Sequence, residues 1–94
     1  MRKYELMYIV RPDLEQEAID AMVARFQDII NSGGEVTGVE MMGKRRLAYE
    51  IQKFRDGFYV LVKFNATPET VAELDRVIRI TDGVIRYLIT KDVA

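Results

Sequence analysis

Apolar and polar residues alternate along four stretches of the chain, whereas two longer stretches between them repeat with the spacing of a helix. Alternation places successive side chains on opposite faces of a strand, so strands are predicted at 3–10, 35–52, 58–65 and 84–90. The helical spacing predicts one helix after the first strand and another after the third. The predicted order of elements is therefore βαββαβ.

Residues that favour helix ends flank both predicted helices. Asp13 is a suitable N-cap for the first helix, with Gln16 in the capping-box position three residues later. The first helix is expected to end at 31–34, Asn-Ser-Gly-Gly, whose residues tolerate left-handed backbone angles. Thr67 is expected to cap the second helix, and Pro68 occupies its first position, where a missing N–H costs nothing.

Two irregular features are predicted in the middle of the chain. The strand at 35–52 does not keep a strict period of two, and a bulge at 41–43 restores the alternation, with Gly43 as a favourable residue. The segment 53–57 is predicted to be a turn, because Asp56-Gly57 is a common hairpin sequence.

The order of elements predicts an α+β fold made of two split βαβ units. The strands are expected to form one antiparallel sheet in the order 4-1-3-2, with both helices on one face. The positions expected to face the helices are Tyr4, Leu6, Tyr8 and Val10, then Phe58, Val60, Val62 and Phe64, and finally Ile85, Tyr87 and Ile89. The apolar residues expected on the opposite, open face are Met7, Tyr59, Leu61 and Leu88. An exposed apolar face of this kind is typical of a surface that binds a partner.

The 94 residues include no cysteine and no histidine, and their number fits one domain, 1–94. The missing residue types exclude disulfides, the usual tetrahedral zinc site and the commonest general base near neutral pH. No catalytic residue, metal site, cofactor or small-molecule substrate is predicted. Since no apolar run is long enough for a membrane span and no signal peptide is recognisable, a soluble cytoplasmic protein is expected.

The charges are segregated although the formal net charge is only −1. Within 13–28 the charged residues are acidic except Arg25, and within 43–55 they are basic except Glu50. Because the local potential governs contact with phosphates, a nearly neutral chain can still carry an anion-binding surface.

Two groups of cations are candidates for binding nucleic acid. The first is the run Lys44-Arg45-Arg46, with Arg55 nearby, since arginine can bind phosphate through a bidentate fork. The alternative for this run is protection of an edge strand against pairing with another sheet. The second group comprises Arg2, Lys3, Arg79, Arg86 and Lys91, on or near the adjoining first and last strands. The alternative for Arg79 is a favourable interaction with the C-terminus of the second helix.

The segment 55–62 lies on the strand with which RNA-recognition-motif domains stack bases on aromatic side chains. Asp56 precedes the glycine, Tyr59 fills the position of a small residue, and valines replace two aromatic residues. Base stacking on this sheet face is therefore not expected.

Three segments of the sequence are similar to one known family. They are Met1-Arg2-Lys3-Tyr4-Glu5, the block Gly43-Lys44-Arg45-Arg46-Leu47-Ala48-Tyr49-Glu50-Ile51, and Gly57-Phe58-Tyr59 with the strand that follows. In this order, and over essentially the whole chain, they resemble the sixth protein of the bacterial small ribosomal subunit. The resemblance implies a ferredoxin-like fold, in agreement with the fold predicted from the residues, and a structural, non-enzymatic role.

The resemblance also implies partners. Members of the family bind the central domain of small-subunit ribosomal RNA as a cooperatively assembling heterodimer with the eighteenth small-subunit protein. By position, it implies contacts with the partner and RNA at Arg45, Arg46, Leu47, Ala48 and Tyr49, and contacts with RNA at Arg2, Lys3 and Arg86. With the residues taken from charge and exposure, the expected RNA-binding set is Arg2, Lys3, Lys44, Arg45, Arg46, Arg79, Arg86 and Lys91. The expected partner-binding set is Arg45, Arg46, Leu47, Ala48, Tyr49, Tyr59 and Leu61.

Two alternative functions use the same architecture. An acylphosphatase-like hydrolase would need a phosphate-binding glycine loop directly after the first strand, and Arg11-Pro12-Asp13 supplies none. A protein-only regulatory module would use the open sheet face as a dimer surface.

Overall fold

The computed structural model describes residues 1–91. The elements are β1 (Arg2–Val10), α1 (Gln16–Ser32), β2 (Gly34–Ile51), β3 (Phe54–Ala66), α2 (Pro68–Arg79) and β4 (Val84–Lys91). The strands form an antiparallel sheet in the order β2-β3-β1-β4, which is the predicted order read from the other edge. The predicted α+β, ferredoxin-like fold is confirmed. No helix in this described range is long and apolar enough to cross a membrane.

The main core lies between the sheet and the two helices. It is built from alternate residues of the central strands and from the apolar stripe of each helix, as the sequence pattern predicts. Its largest fully buried side chains are Tyr8, Phe26, Phe64, Leu6, Ile30, Leu74, Ile78, Val10, Val60 and Val62. The ring of Tyr8 meets that of Phe26 edge to face, with centroids 5.1 Å apart. The packing of β1 against α1 therefore depends on this aromatic pair.

The predicted cap of α2 is confirmed, but the predicted cap of α1 is wrong. The backbone N–H of Thr70 donates to Thr67 Oγ1 at 3.3 Å, and α2 begins at Pro68. The N-cap of α1 is Glu15, which makes no capping hydrogen bond with its side chain. The carboxylate of Asp13 instead accepts a hydrogen bond of 2.9 Å from the guanidinium of Arg11. Asp13 is thus engaged outside the helix, and α1 starts two residues later than predicted.

The glycines after α1 serve close packing rather than a left-handed backbone. The helix ends at Ser32, within the predicted segment, but Gly33 has φ −143°. A Cβ atom at Gly33 would lie 1.9 Å from Thr70 Oγ1, and one at Gly34 would lie 2.0 Å from the carbonyl oxygen of Asn65. The predicted end of the helix is therefore confirmed, and the two glycines let the start of β2 approach α2 and β3 closely.

The predicted bulge in β2 is confirmed, whereas the predicted turn is misplaced. The register between β2 and β3 shifts between Met41 and Gly43, and Gly43 has φ +85°. The reversal of the chain occurs at Gln52 and Lys53, which both have positive φ, and β3 already begins at Phe54. Asp56-Gly57 lies inside β3, where Gly57 pairs with Arg45. A glycine is needed at this position because a neighbouring side chain packs closely against it on the open face of the sheet.

One residue of β4 faces the other side of the sheet from its predicted position. Val10 pairs with Val84, but Ile9 pairs with Arg86, so an extra residue is accommodated at this point of β4. Ile85 consequently packs with Ile9 in a second, smaller cluster, and Val84 packs against the main core. The prediction that Ile85 faces the helices is wrong because a bulge changes the alternation.

Candidate nucleic-acid interface

The end of the β2–β3 hairpin leaves the plane of the sheet. Regular pairing reaches Arg46 opposite Asp56, and the next pair is Ile51 opposite Phe54. Residues 47–50 therefore lie opposite a single residue of β3. Because β2 has more residues than β3 in this region, the end of the hairpin can bend out of the plane of the sheet.

Leu47 fixes the direction of this bend. Its side chain is only 8% exposed and packs in the second cluster with Ile9 of β1 and Ile85 of β4. To reach them it must pass β3, and it does so at Gly57, whose added Cβ atom would lie 2.2 Å from Ile9 Cγ2. The missing side chain at Gly57 thus makes room for the hairpin end on the open face of the sheet.

Two contacts between arginines and aromatic rings join the bent hairpin to β4 and to the segment after β1. The guanidinium of Arg11, just after β1, lies 5.2 Å from the ring centroid of Phe54. The guanidinium of Arg86, on β4, lies 5.8 Å from the ring centroid of Tyr49 and donates a hydrogen bond to the Tyr49 hydroxyl. The hairpin end therefore spans the sheet from the edge strand β2 to the opposite edge strand β4.

The first predicted group of cations lies at the edge of the sheet, where β2 approaches the bend. Arg45 pairs with Gly57 and shares its open face, while Lys44 and Arg46 alternate to the face of the helices. Arg55 lines a polar recess together with Arg46. No carboxylate within residues 1–91 forms an ion pair with these four side chains. Asp56 lies opposite Arg46 and Glu50 lines the same recess, so the positive charge is partly offset nearby, but within the described residues these cations have no direct ion-pair partner that an external anion would need to displace.

The second predicted group is divided between two ends of the sheet. Lys91 pairs with Tyr4, so it lies near Arg2 and Lys3 at the beginning of β1. Arg86 pairs with Ile9 at the other end of β1. Ile9 is seven steps along the extended strand from Arg2, which is about 23 Å at the rise of a strand. Arg86 is thus far from Arg2, Lys3 and Lys91 and close to the hairpin end instead.

Arg79 is already engaged by the protein itself. Its guanidinium forms an ion pair with Asp75, one turn earlier in α2. The same carboxylate accepts a hydrogen bond from the Tyr87 hydroxyl, and this bond, followed by Arg79, holds the pKa of Asp75 below its ordinary value. Arg79 is therefore a weaker candidate for RNA contact than the unpaired arginines.

An apolar row crosses the open face of the sheet. Met7 pairs with Leu61 of β3 on one side and with Leu88 of β4 on the other, so the three side chains are neighbours. Met7 is 37% and Leu88 58% exposed. Tyr59, next to this row on β3, lines a shallow groove with Met7 and Leu88. We call Leu61, Met7 and Leu88 the apolar row.

The sequence of residues 3–91 matches the model of the family described as ribosomal protein S6. The chain belongs to the ribosomal protein S6 family.

Relatives of the S6 family match this chain over nearly their whole lengths. Small ribosomal subunit protein bS6 of Moorella thermoacetica is 53% identical over 97% of this chain and 94% of its own. The bS6 protein of Halalkalibacterium halodurans is 55% identical over 98% of both chains. The crystal structure of 30S ribosomal protein S6 from Thermotoga maritima covers 97% of this chain and 87% of its own, with a TM-score of 0.92 and 34% identity.

Membership of the S6 family decides the question of catalysis. The relatives are named as ribosomal proteins, and the chain is a structural protein rather than an enzyme. The hydrolase alternative is therefore excluded. Arg11, in the segment that lacks the required glycine loop, makes contacts with Asp13 and with the ring of Phe54.

The structure of this S6-family chain adds two features to the predicted set. Arg55 was placed near the basic run but in neither binding set, although it shares a recess with Arg46 and Tyr49. The contact of Tyr49 with Arg86 joins two residues 37 positions apart. In the sequence, the bend is indicated by Gly57, an unusual residue inside a strand. It does not specify which segment of the chain packs against it.

Proposed function

We propose that the chain is a constituent of the small ribosomal subunit, on the ribosome in the bacterial cytoplasm, and acts there as one structural domain, 1–94. It binds the central domain of small-subunit ribosomal RNA as a heterodimer with the eighteenth small-subunit protein. It needs no cofactor, metal or small-molecule substrate for this role. Family membership supports the ribosomal role, and the arrangement of the open sheet face supports the two kinds of partner.

The proposal is carried by the direct boundary between the apolar row and Arg86, which forms no ion pair with a carboxylate within residues 1–91. Ile9 follows Met7 by two residues on β1 and pairs with both Tyr59 and Arg86. The apolar row is thus bordered by Tyr59 and Arg86 on the side of the hairpin end. A protein that covers the apolar row brings its own edge next to Arg86, where RNA can contact both proteins.

The two predicted sets divide along this boundary. The partner protein covers Leu61 and Tyr59 and reaches the exposed hairpin residues Ala48 and Tyr49. Leu47 serves this contact indirectly, because it is buried and fixes the path of the hairpin. Arg45 and Arg46 lie at the junction of partner and RNA. The residues proposed to contact RNA near the hairpin end are Lys44, Arg45, Arg46 and Arg86. Arg2, Lys3 and Lys91 are proposed to form a separate RNA contact at the far end of β1. Arg79 is the weakest candidate of the set.

The net charge of −1 predicts that the partner is needed for tight RNA binding. Affinity for nucleic acid grows with the number of phosphates whose counterions are released, and this chain alone offers few such contacts. A basic partner adds contacts on the same RNA. The heterodimer should therefore bind RNA more tightly than the isolated chain, with a steeper dependence on salt.

The test measures binding of the chain to a central-domain RNA fragment with and without the partner protein. Leu88→Asp places a charge on the exposed end of the apolar row and should weaken partner binding about tenfold or more. Arg46→Ala should change the affinity for the partner by no more than about threefold. It should lower the slope of RNA affinity against salt concentration by the amount expected for the loss of about one phosphate contact. Arg76→Ala is the matched control, since Arg76 is exposed on α2 and paired with Glu73.

Three outcomes would contradict the proposal. Equal RNA affinity with and without the partner would remove cooperative assembly. Unchanged partner binding by Leu88→Asp would remove the apolar row from the heterodimer. A stable homodimer of the purified chain, broken by Leu88→Asp, would support the protein-only module instead.

A further inference from the structure

Tyr49 and Arg86 form an exposed contact that the packing of the fold does not require. The Tyr49 side chain is 60% exposed, and Arg86 is exposed as well. The main core and the second cluster are complete without either residue. The contact nevertheless joins the end of the hairpin to β4 through both the ring and the hydroxyl of Tyr49. The contact therefore serves binding at the surface rather than packing of the core.

The hairpin fixes Tyr49 before any ligand is bound. Leu47, two residues earlier, is buried against Ile9 and Ile85, so the backbone that carries Tyr49 has an anchored start. Gln52 and Lys53 then reverse the chain with positive φ angles, and Phe54 is held beneath Arg11. Tyr49 is thus presented from a short segment that is held at both ends.

A tyrosine restrains an arginine without neutralising it. Arg86 forms no ion pair with a carboxylate within residues 1–91, so its positive charge is uncompensated there. The Tyr49 hydroxyl accepts one of five N–H groups of the guanidinium, which leaves the others free for a phosphate. A free arginine side chain loses considerable rotamer freedom when it binds, whereas one that is already oriented loses less.

The same ring borders the other cations of the hairpin. Tyr49 lines the polar recess that contains Arg46 and Arg55, and it also lines the neighbouring groove that contains Arg86. The ring therefore stands between the arginines of β2 and β3 and the arginine of β4. An RNA backbone that follows these three guanidinium groups passes over Tyr49.

We propose that Tyr49 is a positioning residue that orients the guanidinium of Arg86 for a phosphate of the bound RNA. This inference rests on the proposed function, because it requires that Arg86 contact RNA. It assigns Tyr49 to the RNA side of the boundary, in addition to its predicted place in the contact with the partner protein.

The test is a double-mutant cycle on binding of the central-domain RNA fragment by the heterodimer, measured over a range of salt concentrations with the partner protein saturating, so that a loss of partner contact at Tyr49 does not enter the cycle. The variants are Arg86→Ala, Tyr49→Leu and the double variant. Tyr49→Leu keeps an apolar side chain but removes the ring and the hydroxyl, and Tyr49→Phe removes only the hydroxyl. Because Tyr49 is exposed, all of them should melt close to the wild-type temperature.

Arg86→Ala should weaken RNA binding about three- to tenfold and lower the salt slope by about one contact. Tyr49→Leu should reproduce part of both changes, and the double variant should bind no more weakly than Arg86→Ala. Tyr49→Phe should lie between the wild type and Tyr49→Leu. In the free protein, Tyr49→Leu should also lower the NMR order parameter of the Arg86 side-chain Nε–H group.

Additive losses in the double variant would overturn the inference and leave the RNA contact of Arg86 intact. An unchanged salt slope in Arg86→Ala would overturn both the inference and the assignment of Arg86 to RNA. The cooperative binding of RNA and the role of the apolar row are measured separately with Leu88→Asp. Failure of the positioning role is thus distinguishable from failure of the proposed function. A loss of partner binding in Tyr49→Leu equal to its loss of RNA binding would likewise overturn the inference.

Discussion

Tyr87 donates a hydrogen bond of 2.8 Å from its hydroxyl to the carboxylate of Asp75, so that β4 is tied to α2 by a contact between side chains. This bond is the main reason that the pKa of Asp75 lies below its ordinary value, and Arg79 adds to the effect. A carboxylate whose pKa is lower in the folded state stabilises the fold when ionised. The contribution is present above the pKa of the unfolded chain and is lost as the pH falls through the folded value.

We expect Tyr87→Phe to raise the pKa of Asp75 toward its ordinary value, because the variant lacks the hydroxyl. The variant should be less stable than the wild type near neutral pH, and the difference should shrink as the pH falls below the ordinary range of aspartate. A carboxyl NMR titration measures the pKa, and urea unfolding at several pH values measures the stability. A difference in stability that is the same at neutral and strongly acidic pH would contradict this explanation.

Tyr8→Phe should stabilise the protein by about 1 kcal/mol. The Tyr8 hydroxyl is buried and has no hydrogen-bond partner among the described residues, whereas the ring packs on Phe26. Phenylalanine keeps the ring and removes the unsatisfied group. Thermal unfolding should show a melting temperature about 4–8 °C higher for a domain of this size. A lower melting temperature would mean that the hydroxyl makes a favourable interaction.

Tyr8→Phe should also change how the stability of the protein depends on pH in the alkaline range. Burial raises the pKa of Tyr8 well above its ordinary value. A group whose pKa is raised in the folded state contributes stability below its unfolded pKa and loses it as the pH rises above that value. The advantage of Tyr8→Phe should therefore grow above about pH 10. Unfolding measured at pH 8 and pH 11 tests the expected increase.

Gly57→Ala should destabilise the protein by about 1–3 kcal/mol, the usual cost of overpacking. The new Cβ atom would lie 2.2 Å from Ile9 Cγ2, so Ile9 or the hairpin end must move. Gly38→Ala is the matched control on a neighbouring strand, because its Cβ atom would meet nothing within 4 Å. The control should change the unfolding free energy by no more than about 0.5–1 kcal/mol. Equal effects of the two substitutions would show that space at Gly57 is not limiting.

Thr67→Ala should destabilise the protein by about 1 kcal/mol, because the Thr67 hydroxyl caps α2 through the N–H of Thr70. Asp13→Ala should cost less than about 0.5 kcal/mol, since Asp13 makes an exposed ion pair with Arg11 and caps no helix. Urea unfolding of the two variants compares the free energy lost at a residue that caps a helix with that lost at one that does not. A larger loss in Asp13→Ala than in Thr67→Ala would reverse the assignment.

Local patterns were sufficient for most of the fold. The alternation in β1 identifies the residues that face the helices, and Thr67-Pro68 identifies the start of α2, because both depend on neighbours in sequence. Asp13 shows where this fails. Its sequence is as favourable for capping as that of Thr67, but Arg11 competes for the carboxylate. A competing partner two residues away changes the outcome without changing the pattern.

The candidate site depends on contacts between distant parts of the chain. Gly57 looks like a turn residue, yet Ile9 requires its small size from a strand almost fifty residues earlier. Tyr49 and Arg86 lie 37 positions apart in the sequence, and only the bend of the hairpin brings them together. The basic run itself was predictable, since charge is visible in the sequence. The path of the backbone that arranges the charges was not.

The central position of β1 has a consequence for the order in which the protein is made. β1 emerges first from the ribosome that synthesises it, but its neighbours in the sheet are β3, at 54–66, and β4, at 84–91. Both are made later than α1 and β2, so β1 has no neighbouring strand to pair with until β3 has been made. The sheet is complete only when residues 84–91 have left the exit tunnel. The strands should therefore assemble as one cooperative unit once β4 has emerged, rather than one after another as they are made.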